Sequence, residues 1–529
     1  MTMTASIEQM DQNRPSQIDR RQFLLRGNAF VAASALLPSA MGEILAQGDI
    51  TSRLAHDPLR SQYHFLPPGG WMNDPNGPIW WKGKYHLFYQ LNPNASVWGD
   101  MHWGHALSTD MIHWRHEPIA LAPTPGGPDS EGCFSGSAVV FNGVPTFIYT
   151  GVQNAPPDQV TIHDGTDKLR EVQMLATAED DNLLHWKKLP EPVVATPPPS
   201  IKVTGFRDPS PWKEDDGWYL AVGSGERGKG GCVLLYRSQD LRHWEYLHPL
   251  VWGKPNGKQA ANPCESGEMW ECPDFFRLGD RYCLLYSTEN EVIWTIGEYD
   301  RKTHVYTPEQ RGLLDIGAYY APKSFLAPDG RRILWGWIQE RRPEAEYSAA
   351  GWAGMMSLPR VLTLGQDGRL RMSVAEEVRQ QRGPERRAQM SKDRNPNAAS
   401  SLAEVAGCCG EFRLNATRKR DPFELQLSTS DGTSWLQVRY DPSHPNQIMI
   451  DGQPLTLDSS ERDELQLHAF VDSSVVELFL NDRQALTKRF YYAGSTAQNL
   501  RITWQGNAAD LVLCSTWELS PISADRLTR

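Results

Sequence analysis

The stretch "GPIWWKGKYHLFYQ" (residues 77–90) holds two apolar runs separated by a short turn, and four later stretches follow the same plan. They are "GSAVVFNGVPTFIYTG" from Gly136, "PSPWKEDDGWYLAVGS" from Pro209, "PDFFRLGDRYCLLYST" from Pro273 and "KSFLAPDGRRILWGWI" from Lys323. Apolar runs joined by turns with Gly or Asp predict β-hairpins. A period of 50 to 73 residues with several strands per unit is typical of propeller blades, whereas the repeats of a β-helix are much shorter. The sequence therefore predicts an all-β fold that begins with a five-bladed β-propeller.

A second signature supports this prediction, because it follows each of the first three hairpins at a similar phase. The stretches "STDMIHW", "AEDDNLLHW" and "SQDLRHW" end at Trp114, Trp186 and Trp244, and each has an acid followed by His-Trp. Three such echoes indicate one repeated structural unit.

The hairpin pattern stops near Pro359, and a different pattern begins after a charged stretch. Alternating segments such as "FELQLSTS", "SWLQVRY" and "LRITWQG" predict half-buried antiparallel strands of a β-sandwich. We therefore predict a propeller domain over 48–372, a charged linker over 373–394 and a β-sandwich over 395–529.

The first residues have the features of an export signal. Arg20 and Arg21 precede a modest apolar stretch, 29–37, which is typical of a twin-arginine signal and is too short to span a bilayer. We therefore expect 1–47 to be an export signal and N-terminal tail, and the mature protein to be periplasmic or extracellular. The alternative is a charged, unstructured N-terminus.

Composition narrows the choice of partners. The net charge of −11 argues against nucleic acid or an anionic membrane, and no later stretch is long and apolar enough to span a membrane. The eight cysteines form no CxxC pair, so we expect no metal site and no cofactor, and we expect most cysteines to be small core residues. The oligomeric state stays open.

Three hairpins carry an acid at nearly the same place. Asp74 lies three residues before Gly77, and Asp208 and Glu271 lie just before the third and fourth hairpins. The first strand of each blade lines the central channel of a propeller, so these acids are expected to meet at one mouth. Each also has a purely structural interpretation: a turn for Asp74, an ion pair with Arg207 for Asp208, and a surface position for Glu271.

Acids that meet in a channel suit the cleavage of a glycosidic bond. One carboxylic acid protonates the leaving oxygen, while a second attacks the anomeric carbon or activates water. We expect Arg207 to hold Asp208 ionised and neighbouring carboxylates to raise the pKa of Glu271. Trp71, Trp98 and Phe134 are candidates for contacts with sugar C–H groups. Asp274, His102 and His105 are interpreted as structural.

These motifs together resemble glycoside hydrolase family 32, the invertases, inulinases, levanases and fructan exohydrolases. The resemblance runs from about Tyr63 to the C-terminus and rests on "WMNDPNG" (71–77), "FRDP" (206–209) and "WECPD" (270–274), with "CFSGSAV", "YYAPKSF" and "ILWGWI" as further blocks. It implies a five-bladed propeller followed by a β-sandwich. It also implies that Asp74 is the nucleophile, Glu271 the acid/base and Asp208 the transition-state stabiliser.

The resemblance further implies which side chains bind the sugar. Those that would help line the fructose subsite are Asn73, Gln90, Trp98, Ser135, Arg207 and Tyr320. One position departs from the family pattern, because many bacterial members have Asp where this chain has Ala318. Two stretches, "ILWGWI" and "GWAGMMSLPR", look closer to plant members, which also lack that Asp. What occupies the leaving-group side therefore does not follow from the resemblance.

The implied activity is retaining hydrolysis that releases terminal β-D-fructofuranosyl units from sucrose or fructans. Retention requires the two reacting carboxyl groups to be only about 5 Å apart. The alternatives are a fructosyltransferase on the same scaffold, a non-catalytic fructan-binding propeller and an inverting arabinan-type hydrolase. The expected partner is a small or polymeric fructoside. Sucrose, inulin and levan are not distinguished.

Overall fold

The computed structural model describes residues 50–388, 395–418, 421–430, 432–457, 464–492 and 498–528. The predicted twin-arginine signal, 1–47, lies outside these residues. Within the described ranges, no helix is both long and apolar enough to cross a membrane.

Five β-sheet units follow one another between residues 70 and 374, each built from antiparallel neighbours. The first is β1 (Gly70–Trp81), β2 (Lys84–Asn92), β3 (His102–Ser108) and β4 (Trp114–Leu121); the second is β5 (Gly132–Phe141), β6 (Val144–Asn154), β7 (Leu169–Ala178) and β8 (Trp186–Lys188). The third is β9 (Val203–Glu214), β10 (Gly217–Glu226), β11 (Gly230–Ser238) and β12 (Glu245–Trp252); the fourth is β13 (Glu271–Leu278), β14 (Arg281–Thr288), β15 (Glu291–Asp300) and β16 (Val305–Asp315). The fifth begins with β17 (Tyr319–Leu326) and β18 (Arg332–Ile338); after a short helix (Glu344–Ala350) and β19 (Trp352–Ala353) it continues with β20 (Met355–Met356), β21 (Arg360–Leu364) and β22 (Leu370–Val374).

The inner strands of the five units form a closed ring. Strand β1 contacts β5 and β17, β5 contacts β9, β9 contacts β13, and β13 contacts β17. A short segment within the fifth unit also connects the two ends of the ring, because β19 pairs in parallel with β1. This arrangement confirms the predicted five-bladed propeller.

Local sequence explains the turns of the blades. Between β1 and β2, Lys82 and Gly83 have φ values of 46° and 84°, and between β5 and β6, Asn142 and Gly143 have 50° and 79°. Two left-handed residues give the tight turn whose twist matches the flanking strands.

The repeated His-Trp signature forms the turn into the outer strand of a blade. In the first blade the Asp110 carboxylate accepts hydrogen bonds from the backbone and ring of His113, and the Trp114 indole donates to the Met111 carbonyl. Asp240 and Asp180 hold equivalent turns in the third and second blades. The repeated sequence therefore corresponds to the same Asp-His-Trp turn in three blades.

The remaining strands form a β-sandwich, as predicted. One sheet contains β24 (Ser400–Val405), β26 (Phe423–Thr429), β27 (Ser434–Tyr440), β28 (Gln447–Ile450), β29 (Gln453–Thr456) and β33 (Leu500–Gln505). The facing sheet contains β23 (Arg386–Arg387), β25 (Cys409–Thr417), β30 (Glu464–Asp472), β31 (Val475–Leu480), β32 (Gln484–Arg489) and β34 (Leu511–Glu518). Apolar side chains from both sheets, among them Phe412, Leu425 and Trp504, fill the space between them.

The stretch predicted as a charged linker lies between these two domains. It contains a 3-10 helix, Glu376–Gln381, and the edge strand β23, while 389–394 lie outside the described residues. Further 3-10 turns are Ala406–Cys408 and Ala508–Asp510.

Buried charges join the propeller to the sandwich. Arg360 of the fifth blade donates from Nη2 to Asp315 Oδ2 at 2.9 Å and from Nε to Glu477 Oε2 of the sandwich at 3.0 Å. The ring of His64 bridges the same Glu477 and Asp472, at 3.0 and 2.9 Å. Because buried charges are costly unless they are paired, this network fixes the two domains in one orientation.

Candidate active site

All five inner strands bulge at the same level of the channel. In each strand two residues stand opposite a single residue of the partner strand. The bulged pairs are Asn73–Asp74 in β1, Phe134–Ser135 in β5, Asp208–Pro209 in β9, Cys272–Pro273 in β13 and Ala321–Pro322 in β17. Because a bulge re-aims side chains, these five irregularities bring polar groups in or next to the bulges to one place.

Asp74 is buried and held by hydrogen bonds from its own strand and from the neighbouring second blade. The Ser135 hydroxyl donates to Asp74 Oδ2 at 2.6 Å, and the Asn73 amide donates to Oδ1 at 3.0 Å. The Trp71 indole in turn donates to the Asn73 side-chain oxygen at 2.8 Å. This chain of donors fixes the orientation of the Asp74 carboxylate.

The thiol of Cys272 lies between the carboxylates of Asp208 and Asp74. The Cys272 backbone N–H donates to Asp208 Oδ2 at 2.9 Å, and the thiol lies 3.4 Å from both Asp208 Oδ2 and Asp74 Oδ2. Asp208 and Cys272 have left-handed φ values of 63° and 50°, a backbone conformation that residues other than glycine rarely adopt. Backbone strain at functional sites is a recurrent pattern.

Glu271 lies between an arginine and a tyrosine. Arg207 donates to Glu271 Oε1 from Nε at 3.2 Å and from Nη2 at 2.8 Å, while the Tyr320 hydroxyl donates to Oε2 at 2.9 Å. Arg207 also pairs with Glu171, at 3.0 Å. Both carboxylate oxygens of Glu271 are thus oriented by side chains from other strands.

Arg207 lowers the pKa of Asp208 in the expected direction, but burial outweighs this effect and the guanidinium does not pair with that acid. The bulge turns the two side chains apart, so the guanidinium pairs with Glu271 and Glu171 instead. Burial raises the pKa of Asp208 to about 6, and the nearby charges of Glu271 and Asp74 add to this effect, although Arg207 opposes it. The expected rise in the pKa of Glu271 stays a prediction.

The other residues predicted to bind sugar lie around this cluster. Trp98 is buried and meets the half-buried Phe134 edge to face, with ring centres 5.7 Å apart. Gln90 donates to the Cys133 carbonyl at 2.9 Å, beside the bulge of β5. Trp71 packs against Trp337 with ring centres 5.8 Å apart.

The residues interpreted as structural have structural contacts. Asp274 accepts from the Ser324 backbone N–H at 2.8 Å. His105 is hydrogen-bonded to His86 at 2.9 Å and stacks on Phe88. All eight cysteines are buried and none is in a disulfide, but Cys272 is more than core filling because its thiol touches two carboxylates.

Two members of the site were missed by reasoning from the sequence. Glu171 is almost fully buried, accepts from Arg207 and also holds the backbone N–H of Phe206. Thr150 accepts the backbone N–H of Asp208 at 3.0 Å. An acid in the apolar strand "LREVQMLATA" was a usable signal for Glu171, whereas nothing in the sequence singles out Thr150.

Comparison with known families decides the class of the protein. Residues 64–373 match the model of the glycosyl hydrolases family 32 N-terminal domain, and residues 375–518 match that of the family 32 C-terminal domain. The chain belongs to glycoside hydrolase family 32. This family 32 hydrolase is 37% identical over 492 residues to a sucrose-6-phosphate hydrolase of Escherichia coli. The aligned region covers 86% of this chain and 94% of that protein.

Solved structures agree with this assignment. A β-fructofuranosidase of Bombyx mori has a TM-score of 0.72 and 29% identity, covering 92% of the family 32 hydrolase and 99% of the silkworm chain. A fructan 1-exohydrolase of Cichorium intybus has a TM-score of 0.71 and 27% identity, covering 88% of this chain and 98% of that chain. The protein is therefore a glycoside hydrolase with the architecture that its repeats predicted.

Proposed function

We propose that this hydrolase releases terminal β-D-fructofuranosyl units from sucrose or fructans with retention of configuration. The observation that carries the proposal is the meeting of Asp74, Asp208 and Glu271 at or directly beside the bulges of three different blades. The names of the relatives point to the same substrate class. A variant of the silkworm enzyme is described in complex with sucrose, and a variant of the chicory enzyme with 1-kestose.

In the first step, Asp74 attacks the anomeric C2 of the fructosyl unit. The bond from C2 to the leaving oxygen breaks, and Glu271 gives that oxygen its proton. The ionised Glu271 that results faces the Arg207 guanidinium, which stabilises its negative charge. Ser135 and Asn73 keep the Asp74 carboxylate in the orientation needed for attack.

In the second step, Glu271 takes a proton from water as the water oxygen attacks C2. The bond between C2 and Asp74 breaks, fructose leaves, and Glu271 is protonated again. Asp208 is the candidate for stabilising charge on the fructosyl unit at both transition states, because its carboxylate adjoins that of Asp74 through Cys272.

A time course of products from sucrose, inulin and levan tests the proposal. Fructose is expected as the first product from at least one of them, with its β anomer formed first by NMR. An α anomer formed first would contradict retention and favour the inverting alternative. Growth of oligosaccharides at high sucrose would favour fructosyl transfer, and binding without any fructose release would favour a non-catalytic propeller.

We also propose export through the twin-arginine pathway, because Arg20 and Arg21 precede a short apolar stretch. Expression of the full chain followed by cell fractionation tests this. The hydrolase is expected outside the cytoplasm, and Arg20→Lys with Arg21→Lys is expected to retain it inside. Equal distribution of both forms would contradict the proposal.

A further inference from the structure

A cavity of about 1000 Å³ lies at the end of the channel opposite the carboxylates. The three acids belong to the first halves of their strands, whereas the cavity is lined by later residues of all five inner strands, among them Trp80, Val140 and Leu326. Since a strand rises about 3.3 Å per residue, Trp80 lies roughly 15–20 Å along β1 from Asp74. The cavity therefore extends toward the opposite end of the channel from the candidate active site, and its nearest lining residues, Ser210 and Asp274, follow Asp208 and Glu271 by two and three residues.

The charge of this cavity is opposite to that of the whole protein. Its lining includes five cationic side chains and three acidic ones, although the net charge of the chain is −11. The cationic residues are Lys213, Arg277, Arg301, Lys323 and Arg332. A cluster of one sign within concave walls focuses its electric field on the space it encloses.

Each acid that lines the cavity already has an ion-pair or hydrogen-bond partner. Glu214 and Asp215 both pair with Arg301, at 3.7 and 3.1 Å. Asp274 accepts from the backbone N–H of Ser324 at 2.8 Å. Their charges offset three of the five positive charges, so a surplus of two remains.

Two of the cations, the partly buried Arg332 and the buried Lys323, form no ion pair with a carboxylate in the described part of the chain. The guanidinium of Arg332 lies 4.5 Å from the centre of the Phe276 ring, and its Nε is buried without a hydrogen bond. Burial lowers the pKa of Arg332. Lys323 is only 2% exposed, and its ammonium donates to the Pro273 carbonyl at 3.0 Å. Such desolvated cations are costly unless a ligand compensates them.

We propose that this cavity binds the phosphate group of inorganic phosphate or of a small phosphomonoester, with Arg332 and Lys323 as its principal ligands. A phosphomonoester carries about −1.5 to −2 charges at pH 7, which matches the surplus. The planar fork of an arginine suits two phosphate oxygens. The volume leaves room for an organic group beyond the phosphate, because pockets for small ligands span about 300–1,000 Å³.

Titration calorimetry on the full chain tests the proposal with inorganic phosphate and glucose 6-phosphate as probes. Glucose and matched chloride serve as the uncharged and ionic controls, and excess fructose is present to occupy the fructosyl site. Arg332→Gln removes a principal ligand, and Arg277→Gln removes an exposed cation of the same cavity with little risk to folding. Arg281→Gln is the matched control, because Arg281 lies outside the cavity and pairs with Glu298.

We expect one phosphate site per chain, weakened about tenfold or more in Arg332→Gln, a few-fold in Arg277→Gln and not in Arg281→Gln. Tighter binding of glucose 6-phosphate than of phosphate would identify an ester as the ligand, and equal binding would identify the free anion. The absence of binding for both probes would overturn the proposal. So would equal weakening in all three variants, or displacement of phosphate by fructose.

Discussion

Arg207 donates two hydrogen bonds to Glu271 and none to Asp208, its neighbour in sequence. Although Asp208 is the acid next to Arg207 in the sequence, the acid that Arg207 pairs with is Glu271. In the proposed reaction this places a cation beside the group that becomes negative when it releases its proton. Asp208 meanwhile keeps a raised pKa, because burial and two neighbouring carboxylates disfavour its ionised form.

The first prediction concerns the pH dependence of activity. Since Asp208 acts as a carboxylate in the proposed mechanism, kcat/KM is expected to fall below about pH 6 as this group becomes protonated. Arg207 lowers the pKa of Asp208, so Arg207→Gln should move this acidic limb to higher pH. Arg207→Lys keeps the positive charge and should move it less. Identical limbs in the wild type and both variants, measured from initial rates between pH 4 and 8, would count against this electrostatic assignment.

The second prediction concerns stability at the same residue. The folded-state pKa of Asp208 is raised from 3.8 to about 6, so folding favours the protonated acid. Its contribution to stability is present below pH 3.8 and is lost as the pH rises through 6, at a cost of roughly 2–3 kcal/mol. Asp208→Asn should therefore raise the melting temperature at pH 7.5 and change it little at pH 4, while activity is lost. A variant less stable than the wild type at pH 7.5 would contradict this expectation.

Much of the fold followed from the sequence, because apolar hairpins and the His-Trp turns recur with the blades. The position of the site along the channel also had a signal in the sequence, but that signal alone did not identify the site. Proline is part of the bulged pair in three blades, as Pro209, Pro273 and Pro322, and directly follows it in the first blade, as Pro75. Proline is tolerated inside a sheet only at edges or bulges, so these positions predict irregular inner strands.

Side-chain partners did not follow from the sequence. The bulge at Asp208–Pro209 decides whether Arg207 faces Asp208 or Glu271, and sequence spacing does not specify that rotation. Glu171 reaches Arg207 from β7, the third strand of another blade, so the contact depends on how neighbouring blades pack. Such contacts are set by tertiary structure rather than by a local pattern.

The third prediction tests the two residues proposed to form and break bonds. Asp74→Ala and Glu271→Ala should each lower kcat for fructose release by at least about a thousandfold with the fold intact, since the nucleophile or the proton donor is lost. Fructose release from sucrose and inulin is the assay, and circular dichroism checks the fold. Asp181→Ala removes an exposed carboxylate that pairs with Lys82 and should leave kcat unchanged. Near-normal turnover in either active-site variant would contradict the role assigned to that residue.

The fourth prediction isolates one hydrogen bond to Glu271. Tyr320→Phe removes the hydroxyl that donates to Glu271 Oε2 at 2.9 Å. A hydrogen bond to a charged group contributes about 1.5–3 kcal/mol, so kcat should fall roughly tenfold to a hundredfold. Tyr319→Phe is the matched control, because the Tyr319 ring lies against Arg360, at 4.0 Å, rather than against Glu271. Equal losses in both variants would indicate a general disturbance of β17 instead.

The last prediction concerns the junction of the two domains. Burial alone lowers the pKa of His64, but hydrogen bonds to Asp472 and Glu477 outweigh it and raise this pKa from 6.5 to about 9. The stabilising contribution of the charged imidazole is therefore fully present below pH 6.5 and is lost as the pH rises through 9. It amounts to roughly 3 kcal/mol. The melting temperature of the wild type should fall between pH 6.5 and 9.5. His64→Gln should be less stable at pH 6 and should lose most of this pH dependence, which differential scanning calorimetry at several pH values will reveal. A variant that keeps the same fall would show that other groups cause it.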